Sequence, residues 1–257
     1  MLALAGGLVA VGMVVPQLAR DAVAERPAGS PIGRQTVPPF PTAPATRSAA
    51  PSPFPVLRMA GRFPAVGPGT FTFGATQGPT VGRTGMLRRY RVAVERDTGE
   101  DVADFGAVVE SALGDRRSWT GGGDLRLQRV PERAAFDFTV YLATAATASR
   151  MCLAGGVDIG VQGRPYTSCR APGRVIINLD RWRLSVDHFV AAQVPLATYR
   201  AYVVNHEVGH ELGNGHEACP GAGRPAPVMT QQTLFLNGCV ANPWPYLDGR
   251  RYAGPLL

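Results

Sequence analysis

His206-Glu207-Val208-Gly209-His210-Glu211-Leu212-Gly213-Asn214-Gly215-His216 carries three imidazoles and a carboxylate at fixed offsets. On a helix, residues four apart share a face, so His206 and His210 can hold one ion together. Glu207 lies about 100° round the helix from His206, placed to reach a water at the ion without binding the ion itself. Gly213 lets the chain leave the helix in a sharp turn, and His216 returns as third ligand. Three protein ligands leave the fourth tetrahedral position of a zinc ion open, which marks a catalytic rather than a structural site. The chain has only four histidines and three are in this string. That concentration argues against a helix whose histidines merely satisfy hydrogen bonds.

Pro227-Val228-Met229-Thr230 follows, with the methionine thirteen residues past His216. With these residues the chain resembles the metzincin zinc metallopeptidases, whose zinc string is followed by a methionine in a tight turn. The resemblance implies Zn2+ on His206, His210 and His216, Glu207 as general base, and Met229 in the Met-turn beneath the metal. It also implies an α+β zincin-type fold, with a twisted mixed sheet, a central zinc-binding helix and an irregular C-terminal lobe. One edge strand of such a sheet pairs with extended substrate. The sequence does not say which strand is that edge; the segment before Cys152 is one candidate. From Asn205 to Tyr246 the chain is similar to an actinobacterial family of metzincin-like envelope proteins of unknown function, a likeness that spans roughly residues 65–257.

The activity implied is hydrolysis of peptide bonds in proteins or cell-wall peptides. Two other readings stand beside it: a hydrolase of cell-wall amides or peptidoglycan, and a zinc-bearing binding module without turnover. Two residues bear on the branch. Glu217 after the third histidine resembles the astacins, but Gln231 stands where they carry a tyrosine. Tyr246 is then the candidate to stabilise the oxyanion, unless no side chain does.

Composition narrows the rest. The chain has 257 residues, a net charge of +7, and 26 basic residues that are all arginine. The arginines form no long basic stretch, the densest runs being the short Arg88-Arg89-Tyr90-Arg91 and Arg181-Trp182-Arg183, so nucleic acid is not an expected partner. A monomer is expected. Residues 1–26 read as a signal peptide or membrane anchor, because Met1–Val15 is apolar and too short for a full span. Residues 27–68 read as a linker, since Pro38-Pro39-Phe40-Pro41 and Pro51-Ser52-Pro53-Phe54-Pro55 bar helix and sheet interior. Residues 69–257 form the catalytic domain, exported or held at the outer face of the membrane.

Cys152, Cys169, Cys219 and Cys239 contain no C-x-x-C pair, so a second zinc site is not expected and disulfides agree with export. Four cysteines allow three pairings, and sequence alone does not choose among them. The simplest, between nearest neighbours, joins Cys152 to Cys169 and Cys219 to Cys239. The second bridge would enclose Met229.

Periodicity predicts strands at 71–73, 87–95, 125–130, 136–142 and 174–179, and helices at 101–113 and 198–212. In the last helix, Tyr199, Tyr202 and Val203 share the histidine face while Ala201, Val204 and Val208 lie opposite. A helix apolar on both sides is buried. His188, outside the motif beside Asp187, reads as a surface or helix-capping residue.

Overall fold

The alternation Tyr90, Val92, Val94 puts one face of a long strand into the core, and the sheet grows outward from it. A computed structural model describes residues 54–257. The expected signal or anchor and the first part of the expected linker lie outside those residues. In chain order the elements are β1 (Phe71–Phe73), β2 (Thr80–Val81), β3 (Met86–Glu95) and α1 (Val102–Gly114). A 3-10 turn (Trp119–Gly122), β4 (Leu125–Arg129), β5 (Phe138–Ala143) and α2 (Ala145–Leu153) follow. Then come a small hairpin, β6 (Gly160–Val161) with β7 (Arg164–Pro165), and the strands β8 (Cys169–Ala171) and β9 (Arg174–Asn178). Three helices, α3 (Leu179–Leu184), α4 (Asp187–Ala191) and α5 (Leu196–Glu211), precede a stretch whose only strands are β10 (Tyr246–Leu247) and β11 (Arg250–Arg251).

The main sheet has the order β2-β4-β3-β5-β9-β8, with β1 also paired to β3. Strands β4, β3, β5 and β9 run parallel, while β1, β2 and β8 join antiparallel. The fold is therefore α+β with a mixed sheet. Register places Tyr90 opposite Phe138, and Val92 opposite Val140, which in turn faces Val175. These side chains form one core with Phe105, Val109 and Leu113 of α1 and Tyr199, Tyr202 and Val203 of α5. The other sheet face packs Ile176 and Ala171 against Ala148 and Cys152 of α2.

Helix α1 starts where the sequence offers a cap: the Asp101 carboxylate accepts from the Ala103 and Asp104 amides. Helix α5 is buried on nearly every side, as its two apolar faces require. It begins at Leu196, two residues before the predicted start, because Pro195 supplies the extended residue that precedes a helix.

Neither α2 nor α5 has a side-chain cap at its N-terminus. The described end of the stretch read as linker, residues 54–68, supplies part of what is missing. Leu196 N–H donates to the Val56 carbonyl at 2.8 Å, and Ala146 N–H to the Ala65 carbonyl at 3.0 Å. Its prolines keep this segment out of helix and sheet but leave its carbonyls free to accept orphan helix amides. It lies along the domain as a strap, further fixed by Met59 N–H on the Arg183 carbonyl and Gly69 N–H on the Glu95 carboxylate.

The sheet ends in β2 and β8, and the edge beside the histidines is β8, not the segment before Cys152. That segment became β5, which lies inside the sheet, and α2. A three-residue strand is too short to show the alternation by which strands are found. The bridges Cys152–Cys169 and Cys219–Cys239 are both formed, and no described cysteine is free. The first ties α2 to the start of β8. The second closes the irregular lobe around residues 219–239, a loop whose closure contributes on the order of 3 kcal/mol in the entropic account. Two disulfides fit an oxidising, extracytoplasmic setting. No helix among the described residues is long and apolar enough to cross a membrane.

Candidate metal centre

His206, Glu207 and His210 stand on the last two turns of α5, and His216 comes back to them from the following loop. The return depends on Gly213, whose φ of 92° strains any side chain. Asn214 closes the helix end by donating its backbone N–H and side-chain amide to the Gly209 carbonyl, at 2.9 and 3.0 Å. Its own carbonyl lies 2.9 Å from His210 Nδ1. The ligand atoms of His206, His210 and His216 lie within 4.8 Å of one another.

Whether these residues suit a metal can be tested on their hydrogen bonds. His206 Nδ1 is 2.8 Å from the Val228 carbonyl, and His210 Nδ1 is 2.9 Å from that of Asn214. A carbonyl can only accept, so both Nδ1 atoms carry protons and both Nε2 atoms keep a lone pair for a cation. His210 Nε2 and His216 Nε2 are 3.1 Å apart. Two nitrogens on one tetrahedral zinc ion stand about 3.3 Å apart, so the pair is already near that spacing. Burial, with the neighbouring imidazole of His210, pushes His206 down to about 3. Burial lowers His210 and His216 in the same direction. All three rings are therefore held in the neutral, ligating form. The donor set fits a divalent transition metal.

Glu207 is 5 % exposed and has no hydrogen-bond partner among the described residues. Burial alone pushes its carboxyl up to about 8. It lines, with the three histidines, a cleft of about 350 Å³. One wall is the segment Thr167–Arg170 leading into edge strand β8; the other carries Gln231, Thr233 and Leu234.

Met229 is fully buried beneath the helix, in a turn closed by Thr230 N–H on the Pro227 carbonyl at 3.0 Å. The turn meets one histidine directly, through the Val228 carbonyl on His206, and the residue after His216, through Glu217 N–H on the Met229 carbonyl at 3.1 Å. Tyr202 spans the same gap, its ring beside His206 and its hydroxyl donating to the Thr230 carbonyl at 3.1 Å. Gly209 was not singled out from the sequence, yet a Cβ there would overlap the Met229 sulfur and lie 2.6 Å from Trp119 Cζ2. Its signal was its place as the second free position of H-E-x-x-H, where any residue satisfies the motif.

Three other candidates fall elsewhere. Tyr246 does not line the cleft; its ring lies on Gly121 and Gly122 of the 3-10 turn, with its amide on the Arg117 carbonyl at 3.0 Å. It is therefore not placed to stabilise an oxyanion. Glu217 is buried and tied to Arg251 at 2.6 Å and to Gly254 N–H, so it anchors the chain's last described segment beside His216. His188 is half-buried rather than a surface or capping residue, and its Nε2 meets the Gln232 carbonyl at 2.8 Å.

No curated protein and no solved structure matches the chain. A family described as protein of unknown function (DUF3152) matches residues 57–247, which include every residue of the histidine cluster and its supporting turn. The chain therefore belongs to the DUF3152 family.

Proposed function

We propose that the protein is an exported zinc-dependent endopeptidase of metzincin type. The observation that supports this best is the meeting of three neutral, converging imidazoles with an unpartnered buried carboxylate on the wall of one open cleft. Zinc bound there would act as a Lewis acid, lowering the pKa of water and polarising a carbonyl. His206, His210 and His216 would hold it, and the carbonyls of Val228 and Asn214 keep the first two rings turned.

Glu207 takes a proton from the attacking water on its free carboxylate oxygen and passes it to the leaving amine. A base for this task must both accept and release a proton near neutral pH. Burial raises Glu207, and a cation bound beside it would oppose that rise, which suits a base that must both take and give a proton. Gly209 and Met229 hold the helix and the turn in contact, and the β8 wall offers an unpaired strand edge to extended peptide.

The test uses the full chain. Zinc should bind at one ion per chain, and His216→Ala should reduce that stoichiometry. Glu207→Ala should retain the metal and lose cleavage of a broad peptide library. A wild-type protein that holds zinc yet cuts neither peptides nor cell-wall fragments would remove the enzymatic reading and leave a binding module.

A further inference from the structure

Glu211 ends α5 one residue past the second histidine. A carboxylate at a helix C-terminus faces the negative end of the helix dipole, and this one is only 5 % exposed. Such a residue needs strong partners. Arg170 donates through Nε to Oε2 at 2.7 Å, Gly173 N–H reaches the same oxygen at 3.3 Å, and Arg88 Nη2 lies 3.8 Å from Oε1. Arg88 in turn leans on Asp137 at 3.4 Å. The network joins the last turn of the metal-binding helix to the edge strand beside the cleft.

Its geometry leaves something over. Arg170 is held side-on through Nε alone, and its two terminal nitrogens have no hydrogen bond among the described residues. The side chain is 33 % exposed and lines the cleft together with Glu207 and the three histidines. Glu211 divides its one charge between Arg170, Arg88 and a backbone amide, so it positions the guanidinium without filling it. The nearby Asp158 carboxylate, also on the cleft wall, is turned to its own loop and accepts from Gly160 N–H at 2.8 Å. A guanidinium fixed at one edge, with a free pair of coplanar N–H donors, suits bidentate binding of a carboxylate.

We infer that Arg170 is a specificity-determining residue that receives a carboxylate of the substrate, so that carboxylate-bearing peptides are the preferred ligands of this cleft. The inference rests on the peptidase reading for the nature of the ligand. The carboxylate can come from an aspartate or glutamate side chain or from a free C-terminus. Glu211 is the positioning residue that aims Arg170.

Binding can be read without turnover in the full-length, zinc-loaded Glu207→Gln protein, by fluorescence anisotropy with labelled hexapeptides. One set scans a single glutamate through an otherwise neutral sequence, a second replaces it with glutamine, and each is made as free acid and as C-terminal amide. A favourable glutamate position, or a free C-terminus, should tighten binding about tenfold over the neutral amide, the scale of one charge-assisted bidentate contact. The arm that shows the gain identifies the source. Adding Arg170→Gln should abolish the difference, while Arg170→Lys should keep part of it. The inference is overturned if no glutamate-bearing peptide and no free-acid peptide binds tighter than the neutral amide, or if discrimination persists in Arg170→Gln. That comparison of peptides needs no Arg170 variant, so a variant that misfolds does not block it. Failure of the peptidase reading has a different signature: no peptide binds, and the wild type cuts none of the same set.

Discussion

Gly209 and Met229 are in direct contact across the base of the metal centre: the methionine sulfur fills the space a Cβ on Gly209 would need. Trp119 closes the same space from the side, fixed by its indole N–H on the Asn205 carbonyl at 2.8 Å. The helix and the turn can approach this closely only because position 209 has no side chain. Gly209→Ala should therefore destabilise despite the better helix propensity of alanine, because overpacking a buried contact typically costs about 1–3 kcal/mol. Moving the turn also moves the Val228 carbonyl on which His206 is oriented, so zinc affinity should fall with stability. Chemical denaturation and zinc titration of the variant check both. A variant as stable as wild type and unchanged in zinc affinity would mean that the turn does not support the site.

The two disulfides should separate by function. The Cys219–Cys239 loop contains Val228, Met229 and Thr230, which meet His206, Gly209 and Tyr202. Replacing both of its cysteines by serine should lower stability by about 3 kcal/mol. It should also weaken zinc roughly 10–100-fold, the usual consequence of loosening a partner of a ligating histidine. Cys152–Cys169 instead anchors the start of β8. Its removal should destabilise the protein yet leave zinc affinity much closer to that of wild type, and impair peptide binding instead. Equal zinc loss in both double variants, measured by competition with a chelator, would contradict this division.

Much of this arrangement was legible in the sequence, and the reasons differ element by element. Strand β3 and helix α1 declare themselves because each is long enough to repeat its apolar period and α1 carries its cap at Asp101. The site was legible because four of its residues fall within eleven positions on one helix and its exit turn. Helix α2 was missed: its run AATASRMCL packs alanine and threonine closely on the sheet and offers no large apolar stripe. Strand β8 was missed for its length. The Arg170–Glu211 pair joins residues 41 apart and depends on which strand forms the edge, a tertiary fact that local pattern does not encode.

Metal-free stability should depend on pH in two opposed ways. Glu207 is raised from 4.5 to about 8, so between those values the folded protein holds a proton that the unfolded chain has lost. Its contribution is full below pH 4.5 and is lost as pH rises toward 8. His206 is lowered from 6.5 to about 3, so its contribution is present above 6.5 and lost as pH falls toward 3. Glu207→Gln removes the first effect alone. The stability of this variant relative to wild type, both treated with chelator, should therefore rise as pH is taken from 5 to 8, measured by urea denaturation at each end. A relative stability that stays level or falls over that window would mean that the carboxyl is not buried in the folded state.

The strap over the two helix starts makes a prediction that needs no change at the metal centre. First-turn amides of a helix normally exchange quickly, since nothing within the helix accepts from them. Leu196 N–H and Ala146 N–H are exceptions here, bonded to the carbonyls of Val56 and Ala65. Both should be protected in the full chain. Deleting the chain through Arg62 should release Leu196, while Ala146 keeps its partner and its protection. Stability should fall as well, by the roughly 1–3 kcal/mol that an unsatisfied buried donor costs, with the N-terminal turn of α5 opening first. Because α5 carries His206 and His210 about three and four turns further on, zinc affinity reports how far that opening travels. Rapid exchange of Leu196 in the intact protein would show that the strap does not hold the helix.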